Sequence, residues 1–321
     1  MLQRVDPELM AGLQAFAAMS GDGGLDLEDI AATRTAGAAM LEAMKAQMPA
    51  VPGVGVEDLR VPGADGAPAV AVRIYRPEVA GELPVLLWIH GGGYVIGSID
   101  QDDLLAKQMA LAAQCAVVSV EYRLAPEHPF PAPLEDCYAA LQWIHRNARE
   151  LRFDAARIGV GGASAGGGLA AGLALLARDR GDIALAFQLL IYPMIDDCNI
   201  APADAASPDT LMWTRRNNRI GWAAYLGREP GAADIPVHAA PFRATDLCGL
   251  PPTYIAVGEL DLFVLENLDY GRRLLQAGVP TQLHVYPGAF HGFDAIAPQA
   301  AVSQRFAADR DQAVKRALAS R

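Results

Sequence analysis

Short, continuous runs of apolar residues alternate along the chain with longer segments whose apolar residues recur at helical spacing. Residues 85–89 and 116–120 are nearly uninterrupted apolar runs, which is typical of strands that are covered on both faces. The pattern predicts strands at 69–75, 85–89, 116–120, 158–161, 187–192, 253–257 and 282–286, and helices at 102–113, 134–148, 169–177, 265–277 and 300–318. This alternation predicts an α/β protein with a mostly parallel central sheet and helices on both faces.

Two segments depart from this rhythm. Residues 1–55 are rich in Ala and Met and show helical spacing at Leu9, Leu13 and Phe16 and again over 27–48. Residues 196–240 form a polar insertion between two strands, and long insertions at the carboxyl edge of a sheet are usually functional. We therefore predict a helical cap made of 1–55 and 196–240, over a core made of 56–195 and 241–321. The alternative for the insertion is an ordinary long loop with surface helices.

Composition narrows the classes of partner. The net charge of −11 and the isoelectric point near 5.0 argue against nucleic acids and anionic membrane surfaces as partners. The four cysteines are scattered without C-x-x-C spacing, so we predict neither a zinc site nor disulfides: Cys115, Cys137, Cys198 and Cys248. With these partners excluded, we expect a small-molecule substrate.

Two features bear on membranes and targeting. Residues 158–177 carry no charge, but their glycine cluster and central turn favour a buried strand followed by a buried helix over a membrane span. The first residues lack the basic and apolar regions of a signal peptide. We expect a soluble, cytoplasmic protein.

The strongest chemical signal is the serine at the centre of Gly162-Ala163-Ser164-Ala165-Gly166. This G-x-S-x-G sequence lies between the predicted strand at 158–161 and the predicted helix at 169–177, a context that forces the serine into a sharp turn and exposes its hydroxyl. The hydroxyl would lie at a helix N-terminus, where the helix dipole favours developing negative charge. Ser164 is therefore the predicted nucleophile.

A serine nucleophile needs a base, and the base needs an orienting acid. In this arrangement the chain order is serine, acid, histidine, and Asp261 and His291 follow two later predicted strands in that order. Glu259 is the rival acid. His291 alone lies in a glycine-flanked loop after a strand and beyond the acid, whereas the other histidines have structural explanations: His90, His128, His145, His238 and His284.

An oxyanion needs backbone donors. The glycines after His90 present amides that no side chain shields, and the residue after the nucleophile presents another, so the predicted donors are Gly91, Gly92 and Ala165. A phosphate-binding loop is excluded because no Gly-Lys-Ser/Thr ending follows these glycines.

Five motifs together resemble those of the hormone-sensitive-lipase-like esterases, bacterial family IV, within the α/β-hydrolase fold. They span about residues 60 to 295: His90-Gly91-Gly92-Gly93-Tyr94, Tyr122-Arg123-Leu124-Ala125-Pro126-Glu127, Gly162-Ala163-Ser164-Ala165-Gly166-Gly167, Gly258-Glu259-Leu260-Asp261 and His291-Gly292-Phe293. The resemblance implies a carboxylic ester hydrolase for short- to medium-chain acyl esters, with a helical cap and without a metal or organic cofactor. It implies the triad and the oxyanion donors that the preceding paragraphs predict: Ser164, Asp261 and His291, with Gly91, Gly92 and Ala165.

Three positions depart from the family's usual pattern. Ala163 stands where many members carry Asp or Thr, Gly168 where many carry Asn, and Val264-Leu265 where an Arg-Asp pair is common, although Glu266 keeps the acid that follows. These departures leave the triad intact and the subfamily open.

Other functions stay open on the sequence alone. An amidase, peptidase or deacetylase would use the same triad. A non-catalytic small-molecule receptor would keep the fold, but the receptors that resemble this family tend to lose the catalytic histidine, and His291 is present. Tyr94, Trp213 and Trp222 are candidate lining residues of the substrate pocket, with plain packing as the alternative. Oligomeric state is open, and a homodimer is one candidate.

Overall fold

One eight-stranded sheet organises the part of the chain that the structure describes. The structure is a computed structural model and describes residues 2–20, 25–45, 48–64, 66–201 and 211–319. The strands are β1 (Val54–Val61), β2 (Val70–Pro77), β3 (Leu83–Ile89), β4 (Ala116–Glu121), β5 (Phe153–Ala163), β6 (Phe187–Ile191), β7 (Thr253–Gly258) and β8 (Thr281–Tyr286). Their order across the sheet is β1-β2-β4-β3-β5-β6-β7-β8.

Strand direction confirms the predicted sheet. β2 pairs antiparallel with β1 and β4, and every other pair in the sheet is parallel. The pattern had predicted β2 to β8 but not β1, which begins at Val54, just before the predicted start of the core at 56. β1 is an edge strand with mostly exposed residues, so its sequence carries no buried apolar face that could have been recognised.

The helices occupy the predicted segments with small shifts at their ends. The described helices are α1 (Pro7–Ser20), α2 (Ile30–Lys45), α3 (Asp103–Ala113), α4 (Ala132–Arg146), α5 (Ala165–Arg180), α6 (Arg215–Leu226), α7 (Val264–Gln276), α8 (Phe293–Ile296) and α9 (Ala301–Ala317). The predicted cap segments contain α1, α2 and α6, while residues 202–210 of the predicted insertion lie outside the described residues.

Alternate residues of the central strands enter two different cores. In β3, Val85, Leu87 and Ile89 pack into the core that also contains residues of α4, α5 and α7. Leu86 and Trp88 point to the opposite face and join the core with α3 and α9. Because side chains alternate across a pleated strand, helices on both faces require every β3 residue to be buried, and every one is.

The uncharged run at 158–177 forms the end of β5 and most of α5, as predicted. Their buried side chains belong mainly to the core that also contains residues of α4 and α7. No helix in the described part of the chain has the length and apolar character needed to cross a bilayer.

The helices of the predicted cap segments are tied to the rest of the protein by side chains that bind backbone carbonyls. Arg34 of α2 donates to the carbonyl oxygens of Val95 and Ala125, at 2.7 Å each, and pairs with Glu127. Asn217 of α6 donates from Nδ2 to the carbonyl oxygen of Leu25 at 2.7 Å. The N-terminal helices and the insertion therefore meet over the same edge of the sheet.

A buried ion pair closes the base of the insertion. The carboxylate of Asp197 has no exposed surface and accepts hydrogen bonds from Arg243 Nη2 at 2.8 Å and from the Gly231 amide at 2.7 Å. It therefore joins the residues just after β6 to the far end of the insertion.

We predict that Asp197→Asn lowers the free energy of unfolding by about 3 kcal/mol, because this fully buried position loses the negative charge that pairs with the partly buried Arg243 guanidinium. Urea unfolding followed by fluorescence measures this change. Asp234→Asn is the matched control, because its pair with Arg228 is exposed and we expect no measurable effect. Equal stability of the two variants would contradict the anchoring role.

Candidate active site

The turn between β5 and α5 places Ser164 where the main chains of two elements nearly touch. An ideal Cβ built on Gly166 would lie 2.1 Å from the carbonyl oxygen of Ile89 and 2.4 Å from that of His90. A Cβ on Gly162 would lie 2.4 Å from the Gly166 carbonyl oxygen. Any side chain at either position would push α5 away from the end of β3, so the glycines are required by the close approach.

Ser164 itself has a strained backbone. Its φ of 56° and ψ of −121° lie in a region that residues with a side chain rarely adopt. Hydrogen bonds fix this conformation: the Ser164 amide donates to the Ile191 carbonyl at 2.9 Å, and its carbonyl accepts from the amides of Gly168 at 2.9 Å and Met194 at 3.0 Å. The side chain is thereby held at the N-terminal end of α5.

Three side chains from separate segments form one hydrogen-bonded chain. His291, which follows β8, places Nε2 2.9 Å from Ser164 Oγ. The Nδ1 atom of His291 lies 2.8 Å from Asp261 Oδ2, and Asp261 follows β7. The structure thus brings together the three residues that the sequence singled out. The arrangement can move a proton from the serine hydroxyl to the imidazole, with a carboxylate to balance the imidazolium.

Asp261 is held in the orientation that this chain needs. Its side chain is fully buried, and its Oδ1 atom accepts a hydrogen bond from the Phe263 amide at 3.0 Å. Glu259, the rival acid, is engaged elsewhere: it accepts from the Gly288 amide at 3.0 Å and pairs with Arg4 near the surface. The Gly288 hydrogen bond and the Arg4 pair lower the pKa of Glu259, so this carboxyl stays ionised away from His291.

A buried glutamate ties the loop after Asp261 to the start of the insertion. Glu266 of α7 accepts hydrogen bonds from the Ile195 amide at 2.9 Å and from Asn199 Nδ2 at 2.8 Å. Asn199 Nδ2 also lies 3.2 Å from the Leu262 carbonyl oxygen, next to Asp261. Burial raises the pKa of Glu266 well above its usual range, and the hydrogen bonds from Ile195 and Asn199 oppose that shift.

Aromatic rings enclose the imidazole of His291. The rings of Tyr192 and Phe263 lie edge-on to it, with centroids at 4.7 Å and 5.2 Å, and the Trp213 ring lies at 6.4 Å. Tyr192 donates from its hydroxyl to Asp294 Oδ1 at 3.0 Å, which fixes the ring. Burial raises the pKa of Asp294.

Tyr192 and Asp294 were not among the site residues predicted from the sequence. The available signals were weak: Tyr192 follows directly on the carboxyl end of β6, and Asp294 lies three residues beyond His291, in the short helix α8. Both positions lie at the edge of the sheet where ligands bind.

The glycine loop after β3 lies beside Ser164. A Cβ built on Gly91 would be 3.4 Å from the Ser164 Cβ, and Gly92 has a φ of 121° that favours glycine. Within the described residues, the amides of Gly91, Gly92 and Ala165 donate no hydrogen bond to another group. Ala165 is the first residue of α5, where a helix leaves its amides unpaired. That these three amides bind an oxyanion remains a prediction.

His90 packs against the glycine loop. The imidazole is buried, stacks on Tyr122 at 4.3 Å and lies with Nδ1 2.8 Å from the Gly91 carbonyl oxygen, to which Nδ1–H donates. Its Nε2 atom is buried without a partner among the described residues. Burial lowers the pKa of His90 to about 4, so the ring is neutral at pH 7.

The three candidate pocket residues lie in two places. Tyr94 and Trp222 are fully buried together, with Tyr94 stacked on Tyr225 at 4.0 Å. Trp213 lies nearer the reaction centre, against Gly93: a Cβ on Gly93 would be 2.2 Å from its Cη2 atom. A lining role for these residues remains a prediction, and Trp213 lies closest to His291.

One group of acidic and thiol side chains in the described residues has the spacing of a metal site. Asp196, Asp197 and Cys198 place one ligand atom each within 4.8 Å of one another. Asp197 is already neutralised by Arg243, and the three residues are neighbours in sequence at the base of the insertion. Nothing about this group points to a bound ion.

The mostly parallel sheet, the strained serine turn and the histidine beyond the last strand define an α/β hydrolase. Comparison with known proteins agrees, because residues 86–295 match the model of a family described by the α/β-hydrolase fold. Esterase LipI of Mycobacterium tuberculosis is 39% identical over 253 residues, which cover 77% of each chain. Carboxylesterase NlhH of the same organism is 40% identical over 261 residues, 79% of this chain and 80% of NlhH.

A solved structure is similar over nearly its whole length. A bacterial heroin esterase superposes with a TM-score of 0.92 at 44% identity, covering 99% of both chains. The chain therefore belongs to the hormone-sensitive-lipase-like esterases of the α/β-hydrolase fold, as its motifs predicted.

We predict that acid destabilises the fold through His90. Its pKa is about 4 in the folded protein against about 6.5 in the unfolded chain, so the unfolded state binds the proton first as the pH falls. The contribution is fully present above pH 6.5 and is lost between about 6.5 and 4, reaching about 3 kcal/mol.

The measurement is the free energy of unfolding at several pH values in this window, compared with His90→Asn, which keeps a donor near the Nδ1 position but does not titrate. The wild type should lose more stability than the variant on acidification. Parallel pH dependence of the two proteins would show that the His90 pKa is not lowered.

Proposed function

We propose that this protein hydrolyses carboxylic esters with short- to medium-chain acyl groups through an acyl-enzyme on Ser164. The observation that carries the proposal is the hydrogen-bonded chain from Ser164 through His291 to Asp261. Several relatives carry esterase names, which supports ester hydrolysis as the class of reaction.

In this proposal the first half-reaction forms the acyl-enzyme. Ser164 Oγ attacks the ester carbonyl carbon while His291 Nε2 accepts the hydroxyl proton, and Asp261 stabilises the imidazolium. The carbonyl oxygen becomes an oxyanion that the free amides beside the serine can bind: Gly91, Gly92 and Ala165. Collapse of this intermediate breaks the ester C–O bond, and His291 returns the proton to the leaving alcohol.

The second half-reaction releases the acid. Water gives a proton to His291 and attacks the acyl carbon, and a second oxyanion forms at the same amides. Its collapse breaks the bond between the acyl carbon and Ser164 Oγ, His291 returns its proton to Oγ, and the carboxylic acid leaves. Each step uses groups that the chain itself supplies, so the reaction needs no cofactor.

The receptor alternative is disfavoured by the same geometry. A protein that only binds a ligand has no need of a histidine 2.9 Å from a strained serine with a buried acid behind it. The amidase alternative shares the acyl chemistry and differs in the leaving group that His291 must protonate.

We predict that Ser164→Ala lowers kcat for p-nitrophenyl butyrate about a millionfold, because the acyl-enzyme can no longer form. Ser303→Ala is the matched control: it removes a buried serine hydroxyl of α9 that has no hydrogen-bond partner among the described residues, and it should keep most of the activity. Initial rates with both purified variants give the comparison. Activity of Ser164→Ala close to that of the control would remove Ser164 from the mechanism.

A second prediction separates ester from amide hydrolysis. Matched esters and anilides of the same acyl group present the same carbonyl but different leaving groups, and we expect kcat/KM to favour the ester by at least about a hundredfold, since alcoholates leave more easily than anilides. Steady-state kinetics on butyrate and hexanoate pairs measures the ratio. Equal or greater activity on the anilides would assign the protein to the amidases instead.

A further inference from the structure

A second carboxylate lies near His291. Asp294 follows the histidine by three residues, in the first turn of α8, and is partly buried. Its Oδ1 atom accepts a hydrogen bond from the Tyr192 hydroxyl at 3.0 Å. The triad chemistry uses only Asp261, so Asp294 is a titratable group beside the proposed base that the proposed reaction leaves unused.

Tyr192 connects Asp294 to the imidazole. Its ring lies edge-on to His291 with the ring centroids 4.7 Å apart, and its hydroxyl binds Asp294. The backbone of Tyr192 has a φ of 33°, in the left-handed region that favours glycine, and its amide donates to the Ala256 carbonyl oxygen at 2.6 Å. This strained backbone holds the ring between Asp294 and the imidazole.

Two carboxylates therefore restrain the imidazole in different ways. Asp261 Oδ2 lies 2.8 Å from Nδ1 of His291, whereas Asp294 acts through the Tyr192 ring. Proton transfer requires His291 Nε2 to stay within hydrogen-bond reach of Ser164 Oγ, which lies 2.9 Å away. A ring that turned about its hydrogen bond to Asp261 would lose that reach, and the contact with Tyr192 limits such a turn.

Charged groups of the neighbouring elements act on Asp294. Burial raises the pKa of this carboxyl, whereas three groups lower it: the Arg310 guanidinium of α9, the Tyr192 hydroxyl and His291. Arg310 also pairs with Asp311, whose Oδ1 atom accepts from Nε at 2.8 Å, so the charge of Arg310 is shared. Because the coupling between two titrating groups is mutual, ionised Asp294 favours the protonated imidazole of His291.

Two other carboxyls belong to elements around α8, and both have partners of their own. α1 packs against α8, and its Glu8 accepts from the Ala301 amide at 2.6 Å. Asp102, the residue before α3, accepts from Trp88 Nε1 at 2.7 Å. Burial raises the pKa of Asp102 to about 6, and the charge of Asp294 adds to that shift. Asp102 therefore titrates in the same range as an ordinary histidine, so a test has to follow His291 itself.

We propose that Asp294 is a positioning residue for His291: it holds the Tyr192 ring against the imidazole and stabilises the imidazolium that forms in each half-reaction. The proposal rests on the proposed function and adds a second carboxylate to it. This carboxylate acts through a neighbouring ring, whereas Asp261 acts on Nδ1 directly.

The kinetic experiment is a double-mutant cycle of Tyr192→Phe and Asp294→Asn with p-nitrophenyl butyrate as substrate. Asn keeps the size of the side chain and an oxygen acceptor but removes the charge, and Phe keeps the ring but removes the hydroxyl. Thermal unfolding confirms that the variants fold. We expect each single variant to lower kcat roughly three- to tenfold with KM within about twofold of the wild type.

The double variant should resemble Asp294→Asn alone, because both substitutions break the same link between Asp294 and the imidazole. Losses in kcat that multiply in the double variant would show that Tyr192 and Asp294 act independently and would overturn the inference. A kcat of the wild-type value in Asp294→Asn would do the same.

A titration of His291 by nuclear magnetic resonance tests the link without turnover, which separates this inference from the proposed function. The ring signal of His291 is assigned by its loss in His291→Gln, and its titration midpoint is compared in the wild type, Asp294→Asn and Asp309→Asn. Asp309 is the matched control, because it accepts a tyrosine hydroxyl in the same way, that of Tyr286 at 2.9 Å, on the neighbouring helix α9.

We expect Asp294→Asn to lower the midpoint of His291 by about half a pH unit, because the loss of a negative charge disfavours the imidazolium. Asp309→Asn should leave the midpoint within error of the wild type. An unchanged midpoint in Asp294→Asn, or an equal change in both variants, would overturn the inference whatever the activity. A wild type inactive on esters, with the midpoint lowered in Asp294→Asn, would contradict the proposed function alone.

Discussion

The site depends on the close approach of α5 to the carboxyl end of β3. Gly162 and Gly166 allow main-chain atoms to come within distances at which any Cβ would collide with the carbonyls of Ile89 and His90. This contact fixes two things at once. It holds Ser164 in a strained turn at a helix N-terminus, and it lays the Gly91–Gly92 loop beside the serine hydroxyl. A gap of even one methyl group would move the Gly91–Gly92 loop away from Ser164.

The parallel sheet positions the other two side chains of the hydrogen-bonded chain, Asp261 and His291. β7 and β8 end at the same edge of the sheet as β5. The loops that follow these strands therefore place Asp261 and His291 close to Ser164. The buried polar side chains of the site differ in their surroundings. Asp261 accepts a hydrogen bond from the Phe263 amide and lies 2.8 Å from His291 Nδ1, whereas the neutral ring of His90 packs against the glycine loop. The same residue type therefore serves as proposed base and as scaffold, because the surroundings differ.

The sequence predicted the features that depend on local patterns. Runs such as 85–89 must be strands covered on both faces, and the order of Ser164, Asp261 and His291 follows from the parallel topology, so both were predictable. β1 was not, because an exposed edge strand has no apolar face. Tyr192 and Asp294 were missed because their relation to His291 arises from the packing of the residue after β6 against the short helix α8.

The central claim is that Ser164 and the free amides beside it act together on one carbonyl. A crystal structure of the protein after reaction with an alkyl p-nitrophenyl phosphonate tests it most directly, because the bound phosphonyl group mimics the tetrahedral intermediate. The account predicts phosphorus bonded to Ser164 Oγ and its oxygen within about 3.1 Å of the amides of Gly91, Gly92 and Ala165. Phosphorus on another residue, or an oxygen turned away from these amides, would contradict it.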